Sequence, residues 1–219
     1  MPVTSDDNET RQLVARAANG DEQAWNQLLL SCRDRLRSMV AVRMDRRMRG
    51  RIDPSDVIQE ACLVASKRLP DYAANPAMPF YLWLRWIAGQ RLLDQHRRHL
   101  GAQLRGADRE ISLYNGAFPE ATTADLAAHL LGRMSTPSSG AMRVEQRIRL
   151  QEALNSLEPV DREILALRHF EELTNGETAL VLNLDKSAAS KRYARALVRL
   201  KDLLLSLPGA DDWLPADES

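Results

Sequence analysis

The sequence predicts an all-α fold with two small helical domains, and three observations support this. Apolar residues recur at three- and four-residue spacing along most of the 219-residue chain. No stretch alternates apolar and polar residues as a half-buried strand does. Residues 101–143 interrupt the helical pattern with a segment rich in Gly, Ser, Thr and Ala. Because so long a connection is unusual inside one domain, we expect a domain at 1–100, a flexible linker at 101–143, a domain at 144–207 and an acidic tail at 208–219.

The composition indicates the compartment of the protein but does not indicate a binding partner. The chain has 30 basic and 30 acidic residues, so any nucleic-acid signal must be local. Cys32 and Cys62 lie in apolar-periodic segments without metal or redox spacing, which indicates buried thiols in a reducing compartment. The polar, acidic N-terminus does not fit a signal peptide, and no apolar run approaches the roughly 20 residues of a membrane span. We therefore expect a cytoplasmic protein without membrane insertion.

The N-terminal domain begins with two predicted helices. The first covers Glu9–Ala18 and ends at Asn19-Gly20, a typical helix stop. Asp21 then caps a second helix, whose apolar stripe from Trp25 to Val40 predicts core packing. Charge is concentrated here, since residues 33–51 hold eight Arg against two Asp. The strongly basic end of this stretch, Arg43–Arg51, continues either as a helix or as a loop.

A third helix is predicted over Val57–Leu69. Asp53-Pro54-Ser55-Asp56 precedes it, with a proline at an early helical position and acids at the positive end of the helix dipole. Pro70 is expected to end it, and the loop Asp71–Pro79 follows. The next predicted helix, Phe80–His99, is aromatic at its start and basic at its end. Five of the chain's eleven Phe, Trp and Tyr residues fall in Tyr72–Trp86, a marked cluster in a chain with 5% aromatic residues.

The C-terminal domain is predicted to end in a helix-turn-helix. Helices at Val144–Leu157 and after Pro159 lead to a short helix at Gly176–Leu182. The break contains Asn183, which tolerates the left-handed conformation, and Asp185, a good N-cap. The longer helix then runs from near Lys186 to about Leu205, with Ala189, Tyr193, Ala196 and Leu200 on one buried face.

The longer helix is basic on its outer side. Six Lys and Arg residues and no acid lie between Lys186 and Lys201, and small residues occupy the helix start. Small side chains let a backbone approach a DNA major groove, while Arg and Lys reach phosphates or guanine edges. The alternative from this stretch alone is a helical hairpin with a solvated basic face.

The sequence contains no catalytic constellation. Its four histidines are scattered, and His96 and His99 at a basic helix end are more typical of a solvated surface than of a metal site. We expect no enzyme activity, no metal and no cofactor.

Three motifs in order resemble the extracytoplasmic-function (ECF) group of bacterial sigma factors. Asp53-Pro54-Ser55-Asp56-Val57-Ile58-Gln59-Glu60-Ala61 is similar to the group's D-x-x-D-V-x-Q-E-x-F segment. Phe80-Tyr81-Leu82-Trp83-Leu84-Arg85-Trp86-Ile87-Ala88 is similar to its F-x-x-W-L-x-x-I-A segment. Leu157, Pro159, Arg162 and Glu163, then Leu167-Arg168, resemble the start of its C-terminal domain. The resemblance covers about residues 9–100 and 144–205.

This resemblance implies a dissociable initiation subunit of RNA polymerase. Its partners would be promoter DNA and core polymerase, which it would bind through the β′ coiled coil and the β flap. Whether an anti-sigma factor also binds it is left open by the sequence. The polymerase-binding residues implied are Asp53, Asp56, Val57, Gln59, Glu60 and Leu63. The residues implied at the −10 element and its melting are Tyr72, Asn75, Trp83, Arg85, Trp86, Gln90, Arg97 and Arg98. The residues implied at the −35 element are Lys186, Ser187, Ser190, Lys191, Arg192, Arg195 and Arg199.

Some departures from the group and some alternatives stay open at this point. Cys62 stands where the group usually has Phe, and Asn183 stands where it usually has Gly. Ala188 and Ala189 replace a more common Thr-Val pair. Trp83 and Trp86 have a second interpretation as core residues packed on the acidic helix. A freestanding helix-turn-helix regulator is the alternative function, whereas a nucleic-acid enzyme lacks the clustered acids that a metal needs.

Overall fold

The computed structural model describes residues 5–48, 50–100, 123–133 and 140–206. Within these ranges the secondary structure is helical and contains no strand, which confirms the predicted all-α class. The chain divides into two compact units, residues 1–119 and residues 120–219.

In the part of the first unit that the structure describes there are four α-helices. They are α1 (Ser5–Ala18), α2 (Glu22–Arg43), α3 (Pro54–Ala74) and α4 (Phe80–Leu100), with a 3₁₀ turn at Arg46–Met48 between α2 and α3. Helix α3 packs against the other three helices, and α2 also packs against α1 and α4. The side chains with almost no exposed surface at their centre are Leu28, Leu36, Met39, Val57, Leu84, Ile87 and Leu92.

The start of α2 agrees with the prediction, and the end of α3 does not. Asp21 caps α2 by accepting a hydrogen bond from the Ala24 backbone N–H at 3.0 Å. Helix α3, however, passes through Pro70 and ends at Ala74, so the prediction that Pro70 ends it was wrong. A proline removes one helical hydrogen bond, a penalty that tertiary packing can offset. Here Tyr72, one turn from the helix end, is buried and holds that turn against α4.

Five α-helices lie in the described ranges of the second unit, 123–133 and 140–206. They are α5 (Thr123–Arg133), α6 (Gly140–Ser156), α7 (Pro159–His169), α8 (Asn175–Leu182) and α9 (Lys186–Ser206). Helix α9 packs against α6, α7 and α8 and is therefore the central helix of these contacts. Its core includes Leu154, Ile164, Leu167, Ala189 and Ala196.

Helix α5 lies inside the segment predicted as a flexible linker. The structure has 11 residues of helix there, Thr123–Arg133. Ala124, Leu126 and Ala127 are buried, and α5 packs against α6. Residues 140–143 of the predicted linker belong to α6. Residues 101–122 and 134–139 of the linker lie outside the described residues, as does the predicted acidic tail at 208–219.

Candidate functional site

The turn between α8 and α9 is fixed by local hydrogen bonds at each helix end. Thr174 and Glu177 form a capping box at the start of α8. Asn183 ends α8 in the left-handed conformation, with φ 53° and ψ 46°, as the sequence predicted. Asp185 caps α9 by accepting from the Ala188 N–H at 2.7 Å. The Asn175 side chain also donates to the Lys186 carbonyl at 2.8 Å, which fastens the two helices together.

The exposed side of α9 begins at its first turn. Ala189, Ala196 and Leu200 are buried as predicted, and half-buried Tyr193 shares a 2.9 Å hydrogen bond between its hydroxyl and Nε2 of His169. On the other side, five predicted DNA-binding residues are exposed and make no salt bridge among the described residues. These are Lys186, Ser187, Ser190, Lys191 and Arg195, which we call the recognition surface.

Arg192 and Arg199 do not belong to the recognition surface. Nε of Arg192 lies 2.9 Å from Oδ1 of Asp161, and Nη1 of Arg199 lies 2.5 Å from Oδ2 of the same carboxylate. Both arginines also lie within 3.4 Å of a Glu158 carboxylate oxygen. In this structure both guanidinium groups bind acids at the start of α7, and their predicted contact with the −35 element stays a prediction.

The start of α3 presents the polymerase-binding candidates in two groups. Asp53 and Asp56 form a capping box, and the backbone N–H of Ser55 is the main cause that lowers the pKa of Asp53. Both acids are exposed, as are Gln59 and Leu63, whose side chain is 60% exposed. Asp53, Asp56, Gln59 and Leu63 are called the docking face below.

Val57 and Glu60 differ from the docking face. Val57 has no exposed surface and is a core residue, so its predicted contact with polymerase is corrected. Glu60 is half-buried, and its Oε1 accepts a 3.0 Å hydrogen bond from Nε2 of Gln95 on α4. It therefore contributes to the packing of α3 on α4.

The aromatic residues predicted to line melted DNA form part of the core. The Tyr72 and Trp83 rings are stacked with centroids 4.5 Å apart, and Phe80 lies 5.8 Å from Trp83. The Tyr72 hydroxyl donates to the Met78 carbonyl at 2.7 Å, and burial raises the pKa of Tyr72 to about 12. Tyr72 and Trp83 thus pack beneath the loop 75–79 and support its conformation.

Arg85 is also buried and interacts within the protein. The prediction that Tyr72, Trp83 and Arg85 contact DNA directly is therefore corrected, because all three side chains are buried in this structure.

Of the remaining −10 candidates, three are exposed and two are half-buried. Asn75 is exposed at the C-cap of α3, and Arg97 and Arg98 are exposed in the last turn of α4. Trp86 and Gln90 are half-buried and one helical turn apart. Nε1 of Trp86 and Nε2 of Gln90 are themselves buried and have no hydrogen-bond partner among the described residues.

The described residues contain neither a candidate metal site nor a candidate membrane span. In the described part of the chain, no group of three or more His, Cys, Asp and Glu residues is placed to hold a metal ion. Across those same ranges, no helix is both long and apolar enough to cross a membrane.

The capped turn and the exposed recognition surface define a helix-turn-helix protein of the DNA-binding class. The protein-family model described as ECF sigma factor matches residues 7–204. The chain therefore belongs to the ECF sigma factor family and is an RNA polymerase sigma factor that directs transcription initiation. Membership favours this function over the alternative of a freestanding regulator.

Named relatives and a solved structure agree with the family. The ECF RNA polymerase sigma factor SigD of Mycobacterium tuberculosis is 29% identical over 194 residues, which cover 89% of this chain and 83% of SigD. The RNA polymerase sigma factor CnrH of Cupriavidus metallidurans is 28% identical over 197 residues, which cover 89% of this chain and 93% of CnrH. The structure of CnrH in complex with the cytosolic domain of CnrY has a TM-score of 0.52 at 23% identity, covering 90% of this chain and 97% of that one. It supports the fold.

Sequence reasoning missed three residues that organise these surfaces. Asp161 of α7 and Glu158 just before it bind two arginines of α9, and Gln95 of α4 binds Glu60. Each of these contacts joins residues more than 30 positions apart. Local spacing carries no signal for such pairs.

Proposed function

We propose that this sigma factor binds core RNA polymerase through the docking face of α3. The observation that carries the proposal is Leu63, a large apolar side chain exposed on the same helix side as Asp56 and Gln59. An apolar anchor beside acids suits a partner surface with basic and apolar residues. The family resemblance implies the β′ coiled coil as that partner surface, with the β flap as the partner of the second unit.

We further propose that the recognition surface reads the −35 element as duplex DNA. Lys191 and Arg195 are exposed one turn apart near the start of α9. Ser187 and Ser190 beside them are small, so the helix can approach base edges closely. Lys186, at the first position of the helix, is placed to contact a phosphate.

The −10 element is assigned to the end of α3 and the outer side of α4. Asn75 and the loop 75–79 offer a place for an unstacked base, and Trp86 and Gln90 lie half-buried on the neighbouring side of α4. Arg97 and Arg98 add positive charge for the backbone of the melted strand. Tyr72, Trp83 and Arg85 act indirectly, by holding this region in shape.

A protein partner that restrains the factor is part of the proposal. CnrH, which shares the fold, was solved in complex with the cytosolic domain of CnrY. We propose a partner of the anti-sigma type for this chain as well. Because bacterial polymerase and chromosome lie in the cytoplasm, the factor would act there.

A pull-down of core polymerase by the tagged protein tests the docking face. Leu63→Asp should weaken binding by about tenfold or more, because a buried apolar anchor at an interface is worth 2 kcal/mol or more. Leu30→Asp is the matched control, since Leu30 is an exposed leucine on α2 with 67% exposure. Equal retention of polymerase by the two variants would contradict the assignment.

A further inference from the structure

Asp161 is a buried carboxylate bound by two arginines of the recognition helix. Its side chain is 3% exposed, whereas those of Arg192 and Arg199 are 30% and 50% exposed. The two arginines reach different oxygens of the carboxylate, at 2.9 and 2.5 Å. Helix α7 therefore contacts α9 through a charged junction as well as through its apolar core.

Glu158 adds a second acid to the same junction. It precedes α7 and approaches Arg192 at 3.3 Å and Arg199 at 3.4 Å, with 60% of its side chain exposed. The two arginines thus face two carboxylates. Carboxylates and phosphates accept from guanidinium groups in the same way, so a guanidinium engaged by one is less available to the other.

We propose that Asp161, with Glu158, is a specificity-determining positioning residue that withholds Arg192 and Arg199 from DNA phosphates. The inference rests on the proposed reading of duplex DNA by α9. Phosphate contacts carry no sequence information and dominate non-specific binding. By occupying two arginines, α7 leaves recognition to Lys191 and Arg195 and lowers the affinity of the helix for DNA of arbitrary sequence.

The test measures the salt dependence of binding between the full-length protein and a random-sequence DNA duplex. The logarithm of the binding constant falls with the logarithm of salt concentration by about 0.9 for each phosphate contact. Glu158→Gln and Asp161→Asn should tighten binding and steepen this slope by about 0.9 for each arginine released. Glu152→Gln is the matched control, because Glu152 is an exposed acid of α6 that makes no salt bridge among the described residues.

Protein stability separates positioning from folding. Glu158 is exposed, so Glu158→Gln should leave the melting temperature nearly unchanged, because exposed ion pairs add little stability. A steeper slope without loss of stability is a result that a purely structural role does not produce. Unchanged slopes for Glu158→Gln and for folded Asp161→Asn, or the same change in Glu152→Gln, would overturn the inference.

Variants of α9 distinguish failure of this inference from failure of its premise. Lys186→Gln should flatten the slope by about 0.9, whereas Arg192→Gln and Arg199→Gln should leave it nearly unchanged. If Lys186→Gln, Lys191→Gln and Arg195→Gln all leave binding unaltered, α9 does not contact the duplex and the proposed function itself fails. If Lys186→Gln flattens the slope and Arg199→Gln flattens it equally, the premise holds and only the withholding of arginines is wrong.

Discussion

Gln95 of α4 donates a hydrogen bond from Nε2 to Oε1 of Glu60 on α3 across 3.0 Å. Gln95 is only 8% exposed, so its amide depends on this partner. Glu60 belongs to the motif that resembles the polymerase-binding segment, and its side chain also links α3 to α4. Charge reversal at Glu60 would combine two effects, and the docking face is better tested at Leu63.

Removing the Glu60 side chain should destabilise the first unit. Glu60→Ala leaves the buried Gln95 amide without its acceptor, and an unsatisfied buried group costs about 1–3 kcal/mol. Urea denaturation measures the change in the free energy of unfolding. Gln59→Ala, at an exposed neighbouring position, is the control and should stay within about 0.5 kcal/mol of the wild type. Equal stability of the two variants would show that the Gln95 contact contributes nothing.

The two tryptophans of α4 should respond differently to truncation. Trp83→Ala removes a buried ring from the stack with Tyr72 and should lower the free energy of unfolding by about 3–5 kcal/mol. Trp86→Ala should cost less, because Trp86 is half-buried. It should instead open duplex promoters poorly in run-off transcription and recover on a template with a pre-melted −10 region. If Trp86→Ala fails equally on both templates, Trp86 does not act in melting.

Stability should fall on mild acidification because of His96. Nε2 of His96 accepts the Asp45 backbone N–H at 3.2 Å, which requires a neutral ring, and burial is the main cause that lowers the pKa of His96. The carboxylate of Asp45 partly opposes this shift, while the guanidinium of Arg47 adds to it. The stabilisation is therefore complete above about pH 6.5 and is lost as pH falls from there through the lower folded pKa.

Denaturation at about pH 7.5 and about pH 5.5 measures this dependence. Asp45 stays ionised over the interval, because hydrogen bonds from Arg47 lower its pKa to about 2. His96→Gln should show a smaller loss of stability than the wild type on going to the lower pH. His99→Gln, at an exposed position of the same helix, should behave as the wild type. A wild-type loss that persists undiminished in His96→Gln would exclude this histidine as the cause.

The left-handed turn at Asn183 should tolerate glycine and reject β-branched residues. Asn183→Gly keeps φ near 53° at little cost, because glycine adopts this conformation freely. Asn183→Val should lower the free energy of unfolding by about 1–2 kcal/mol. Thermal unfolding compares the two variants with the wild type. Wild-type stability for Asn183→Val would mean that the turn rearranges without strain.

Features fixed by neighbouring residues could be predicted from the sequence. The αL conformation of Asn183 and the caps at Asp21 and Asp185 involve partners within four or five residues, so spacing identifies them. The helical passage through Pro70 could not be predicted in this way. It depends on Tyr72 packing against α4, which overrides the local preference of proline.

The candidate site was less predictable than the fold because burial and pairing decide which side chains are available. Arg192 and Arg195 are both basic residues of α9, yet only Arg192 faces Asp161. Trp83 and Trp86 are also both tryptophans of the same motif, yet only Trp83 stacks on Tyr72 and is buried. In both pairs the difference comes from a second helix that the local sequence does not reveal.

Transcription of genomic DNA fragments by core polymerase, with and without the purified protein, tests the central claim most directly. Mapping of transcript 5′ ends should reveal a discrete set of start sites that appear only when the protein is added. That set should disappear with Leu63→Asp and persist with Leu30→Asp, the matched exposed leucine. The same start sites from core polymerase alone, or none with the added protein, would contradict the account of this chain as a promoter-directing subunit.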